Sequence, residues 1–97
     1  MEDTRISDLA KAIMEATSVR EAFDSDNNRM SVGSNRLHIQ VTNAVAIIVE
    51  SEMSPLLDVW IQNSIEGEGC TVAKTMDTRK VAEFIISVFN LCGVSAR

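Results

Sequence analysis

The chain has 97 residues, 45% of them hydrophobic and 24% charged, with a formal net charge of −5. This fits one globular domain with a modest core, and the hydrophobic fraction excludes a disordered chain. The acids are spread along the whole sequence, a balance that opposes contact with phosphate backbones and suits solubility or a basic partner.

Ile6, Leu9, Ala10, Ile13 and Thr17 recur at helical spacing and predict an amphipathic helix over 4–17, with Asp3 or Thr4 as N-cap. Ser18 and Glu21 have the capping-box spacing. The helix therefore either breaks near Thr17 and restarts to Phe23, or runs on with Ser18 inside it. Asp24-Ser25-Asp26-Asn27-Asn28 is a turn cluster. It opens like a calcium loop, but Arg29 stands where such a loop needs Gly and Asn35 where it needs a bidentate Glu. A solvated turn that stops the helix is the better account.

Met30-Ser31-Val32 predicts a short strand and Gly33-Ser34-Asn35 a turn. From Arg36 a strict alternation begins, with Leu37, Ile39 and Val41 on one face and Arg36, His38 and Gln40 on the other. Val45, Ile47 and Val49 continue the odd numbering. One strand over 36–50, kinked at Asn43, keeps all six on one face, and no Gly marks a hairpin there. The apolar run 44–49, the polar stretch 50–55 and the apolar run 56–61 then read as a β-hairpin at the centre of a sheet. Pro55 lacks an N–H and belongs at a strand start. The strand it opens runs over 56–65. Glu66-Gly67-Glu68-Gly69 is a turn, and 70–76 is a final edge strand carrying Lys74.

Asp77 predicts the N-cap of a last helix, with Met76 and Val81 placed for a hydrophobic staple. Val81, Phe84, Ile85, Val88, Phe89 and Cys92 form its apolar stripe. Gly93 is its left-handed end, with Val94 folding back on Phe89. The expected fold is α+β: a three- to four-stranded antiparallel β-meander flanked by an N-terminal and a C-terminal helix, one domain over 1–97.

The odd-numbered residues Leu37, Ile39, Val41, Val45, Ile47, Val49, Leu57, Val59 and Ile61 must face the core, with the last helix as cover. The opposite face mixes Arg36, His38, Gln40, Glu50, Asp58 and Gln62 with Ala44, Ala46, Ile48, Leu56 and Trp60. Five apolar side chains converging on one hairpin make a patch, and Trp60 is a typical anchor for binding energy. Either the first helix crosses this face, or both helices share the core face and the patch meets another protein or a second copy. The charged surroundings of Trp60 favour the second arrangement.

Sequence motifs for chemistry are sparse. His38 is the single histidine and has no His or Cys at metal-ligand spacing. Cys70 and Cys92 form no closely spaced thiol pair; they read as free thiols, with one bridge between them as the alternative. No nucleophile elbow or glycine-rich phosphate loop occurs, and Asp58 with Glu50 is the example of carboxylates that could meet in space. The reading is a non-enzyme without cofactors. Met1-Glu2-Asp3 is acidic where a leader would be basic, and no apolar run approaches the roughly 20 residues of a membrane span. A cytoplasmic protein without membrane contact is expected.

Thr78-Arg79-Lys80-Val81-Ala82 opens the last helix after a run of antiparallel strands. In this order of elements the chain is similar to the double-stranded-RNA-binding domain, whose last helix begins with basic residues that grip phosphate. The resemblance implies nucleic-acid binding through Arg79 and Lys80, and the alternative nucleic-acid reading adds Lys74 to them. Asp77 and Glu83 flank that pair, and Ser51-Glu52-Met53-Ser54 replaces the family's histidine-bearing loop. The leading expectation is therefore a non-catalytic protein-binding module, an adaptor or inhibitor of phage or viral type, that forms a homodimer or other homo-oligomer. Its expected contacts are Trp60, Leu56 and Ile48, with Asp58 and His38 at the rim.

Overall fold

A computed structural model of the chain describes residues 4–17, 20–21, 29–51 and 55–93. The first helix, α1 (Thr4–Ala16), buries the stripe that its periodicity requires: Ile6, Leu9, Ala10 and Ile13 are at most 2% exposed. It closes at Thr17, whose N–H and hydroxyl both donate to the Ile13 carbonyl. Arg20–Glu21 form a short strand, β1, so neither a restarted nor a continuous helix holds at these two residues. The proposed cap Asp3, the turn cluster 24–28 and the Val94 contact lie outside the described residues.

The strands that follow are β2 (Arg29–Val32), β3 (Arg36–Gln40), β4 (Val45–Glu50), β5 (Leu57–Asn63) and β6 (Gly69–Thr75). They make one sheet in chain order, antiparallel from β2 to β6, with β1 added parallel to β2. The α+β meander between two helices is the expected architecture with more strands than expected. The difference lies at the two-residue β1 and at residues 36–50, which are a hairpin rather than one long strand.

That hairpin pairs Leu37 with Val49 and Ile39 with Ile47. Odd residues face odd residues across it, so folding the strand back leaves every apolar side chain on the face that a straight strand would give. Parity could not separate the two arrangements. The tight turn also forms without glycine. Thr42 Oγ1 accepts from the N–H groups of Ala44 (3.3 Å) and Val45 (3.2 Å), while the N–H of Val41 donates to the Val45 carbonyl (2.9 Å). A threonine hydroxyl thus satisfies backbone donors that a reversing chain leaves open.

The expected hairpin of β4 and β5 forms, with Ile47 opposite Ile61 and Ile48 opposite Trp60, and β5 starts at Leu57 and ends at Asn63 where a strand over 56–65 was expected. The next turn is built on Asn63, whose Oδ1 accepts from the Ile65 and Glu66 amides, and on Gly67 at φ 77°. The last helix, α2 (Thr78–Leu91), is capped by Asp77, whose Oδ1 accepts from the Arg79 and Lys80 amides, and Gly93 at φ 76° follows its end. Met76 stays 62% exposed while Val81 is buried, so the expected staple adds little burial.

Both helices lie on the odd-numbered sheet face. Ile6, Leu9 and Ile13 of α1 and Val81, Ile85 and Phe89 of α2 join Leu37, Ile39, Ile47, Val49, Leu57 and Val59 in one core. Burying each large aliphatic side chain contributes on the order of 2 kcal/mol. Arg5 Nη1 also donates to the Pro55 carbonyl (2.6 Å), pinning the start of α1 to the β4–β5 connection. Because Thr42→Val keeps the side-chain shape and loses the hydroxyl acceptor, it is expected to cost about 1 kcal/mol in urea unfolding. A long, turnless strand would show no such loss.

Candidate functional site

The face of the sheet opposite α1 and α2 is assembled by cross-strand register. One row runs Arg36, Glu50, Asp58, Lys74 across β3 to β6; the next runs His38, Ile48, Trp60, Thr71; the third runs Gln40, Ala46, Gln62, Gly69. Val59 pairs with Ala73 but Trp60 with Thr71, so Val72 is the extra residue of a β-bulge. The bulge switches parity along β6 and brings Thr71, an odd residue, beside Trp60.

The charged row alternates its partners. Arg36 Nε lies 3.3 Å from Glu50 Oε1, and Lys74 Nζ lies 3.7 Å from Asp58 Oδ1. Glu50 and Asp58 do face each other, as the sequence allowed, but each carboxylate is held by its own cation on the outer side. Two cations and two carboxylates leave the row neutral as a unit. Among the described residues, no three His, Cys, Asp or Glu side chains converge as a metal-binding group. Cys70, exposed on β6, and Cys92, at the end of α2, are both free thiols.

The amide row ties two turns together. Gln40, 5% exposed, donates from Nε2 to the Thr42 carbonyl (2.6 Å) and to Ser64 Oγ (2.7 Å), and its Oε1 lies 3.3 Å from His38 Nε2. A buried amide of this kind is tolerated because its hydrogen-bonding groups are met. His38 is thereby held within the face rather than projecting from it.

Between these rows lies an open depression lined by Arg36, Ile48, Glu50, Trp60, Gln62 and Gly69. Trp60 forms its half-buried wall. Ile48 is its floor, at 6% exposure, set between His38 and Trp60; Ala46 is fully buried between Gln40 and Gln62. The apolar patch is thus narrower than five converging side chains would give. Leu56 is 37% exposed just before β5, and Asp58 and His38 are part-exposed in the flanking positions. Of the cations considered for nucleic acid, Lys74 stands on this face, whereas Arg79 and Lys80 belong to α2 in the opposite layer, and Arg79 pairs with Glu83 at 3.5 Å.

Sequence reasoning placed the even-numbered strand residues on this face and named Glu50 as a possible neighbour of Asp58, but did not count Arg36, Glu50, Gln62 or Gly69 among the partner contacts. For Arg36, Glu50 and Gln62, alternation with the odd core positions was the available signal; Gly69 and Thr71 needed the register. Comparison of the chain with family models, with curated proteins and with solved structures finds no match.

Gly69 has a steric reason to be glycine. A Cβ there would sit 3.0 Å from the Ile61 carbonyl oxygen and 3.4 Å from Gln62 Cα, both backbone atoms. Gly69→Ala is therefore expected to push β6 from β5 at one end of the depression and to destabilise the fold by about 1–3 kcal/mol in chemical denaturation. An unchanged midpoint would mean the strands separate without cost.

Proposed function

We propose that the chain is a non-catalytic protein-binding module, adaptor-like or inhibitor-like, that works through the sheet face opposite α1 and α2 and self-associates. The observation that carries this reading is the placement of α1 and α2 on one side of the sheet, with a half-buried tryptophan on the other. Trp60 supplies the anchor and Leu56 adjoining apolar area. Ile48 stands beside the indole across the strands, and the Arg36–Glu50 and Asp58–Lys74 pairs make the polar rim. An apolar centre inside a charged rim is the general build of a protein–protein contact.

Nucleic acid is the weaker reading. Lys74 and Arg79 are matched by acids of the same chain, and Lys80 and Arg79 stand in the other layer from Lys74. A steep fall of affinity with salt would mark phosphate contact instead.

Trp60 is the chain's single tryptophan, so intrinsic fluorescence reads this face alone. In the monomer, acrylamide is expected to quench Trp60 readily, and protein binding on this face to shield it. Trp60→Ala is expected to weaken that binding by about thirtyfold, the loss typical of an anchor residue. An indole already shielded from acrylamide in the dilute monomer would overturn the reading.

A further inference from the structure

His38 is the chain's single histidine, and its hydrogen bonding fixes more than its place on the sheet. The imidazole Nε2 lies 3.3 Å from Gln40 Oε1. A neutral imidazole carries its proton on one nitrogen and accepts on the other, and an amide can turn end for end, so this contact alone assigns neither role. The far end of Gln40 removes that freedom. Its Nε2 donates to the Thr42 carbonyl at 2.6 Å and to Ser64 Oγ at 2.7 Å. A carbonyl oxygen only accepts. Turning the amide would press Oε1 against that carbonyl with no hydrogen between them, in a side chain only 5% exposed. The two acceptors are themselves anchored by the fold. The N–H of Ser64 donates to the Ala44 carbonyl (2.9 Å), tying the β5–β6 turn to the β3–β4 turn, and Thr42 Oγ1 holds the Ala44 and Val45 amides.

Gln40 therefore presents an oxygen to His38, and that oxygen can only accept. The proton of the neutral ring must sit on Nε2, which leaves Nδ1 as a bare acceptor. Nδ1 has no hydrogen bond among the described residues, yet it is not enclosed: the Ser51 hydroxyl is the one buried side-chain nitrogen or oxygen there without a partner. The lone pair of Nδ1 thus opens to solvent on a half-buried ring. Register puts Ser31 opposite His38 on β2 and Ile48 opposite it on β4, with Trp60 beyond Ile48, two strands and roughly 10 Å away. The charged groups of this face, Arg36 with Glu50 and Asp58 with Lys74, are engaged with one another.

We propose that Gln40 is a positioning residue that locks His38 in the Nε2-protonated tautomer, so that Nδ1 offers a bound protein one hydrogen-bond acceptor in the same row as the Trp60 anchor. The partner this selects brings an N–H or O–H donor to that point; an opposing carbonyl or carboxylate would meet lone pair with lone pair. The use of the acceptor rests on the sheet-face reading, whereas the lock is a property of the free chain.

Long-range proton–nitrogen correlation NMR of the free protein, at a mildly alkaline pH where imidazole is neutral, reads the tautomer of the single histidine directly. The wild type is expected to show a protonated Nε2 and a bare Nδ1. Gln40→Met, with far-UV circular dichroism to confirm its fold, is expected to release the ring to a mixture of tautomers. A merely structural glutamine would leave the ring's protonation pattern as it is. Diethyl pyrocarbonate, which acylates an accessible unprotonated imidazole nitrogen, is expected to modify His38 in the folded protein as it does in urea. A wild type with the proton on Nδ1, or with both tautomers populated, overturns the proposal whether or not Gln40→Met folds. An unmixed tautomer in folded Gln40→Met overturns the role of Gln40. A ring that reacts in urea but not when folded overturns the open acceptor. None of these results touches Trp60, so the sheet-face reading stands or falls by its quenching alone.

Discussion

Two helical stripes close on the same row of odd-numbered sheet residues, and the rest of the molecule follows from that closure. Ile6, Leu9 and Ile13 from one helix and Val81, Ile85 and Phe89 from the other take up the apolar side of the meander. A helix can cover only one side of a sheet. With both assigned to the core, the even-numbered side has none among the described residues and must make its own peace with water. It does so with ion pairs, amides and one indole.

Much of this was legible in the sequence because helices and strands have different periods. The stripes of α1 and α2, the Asp77 cap and the two glycines at positive φ follow from spacing and residue type. What failed was the distinction between a straight strand and a folded one. A hairpin whose register pairs odd with odd gives the same two faces as an extended segment, and the reversal at 41–44 is stabilised by a threonine side chain rather than by glycine. The strand β1 was hidden for a related reason: two residues are too few to show alternation, and their extended state depends on a neighbouring strand.

The candidate face was legible as a set of residues and not as a surface. Alternation put Ile48, Ala46 and Trp60 together, but how much of each meets solvent depends on cross-strand neighbours. Ala46 sits between two glutamines and Ile48 between an imidazole and an indole, so both are recessed. The bulge at Val72, which brings Thr71 onto the same face, has no marker in the sequence. Local pattern reports which side a residue takes; height above the sheet is decided by partners distant along the chain.

The strands stand side by side in the order in which they occur along the chain. From β2 onward, each antiparallel neighbour is reached through a connection of a few residues, so joining it forfeits little loop entropy. The association that spans nearly the whole described chain is between α1 and α2. That contact ties the two ends of the chain together over the core face of the meander. Hairpins are marginal on their own, so loosening the side chains that meet between the helices is expected to weaken the whole sheet rather than release its hairpins intact.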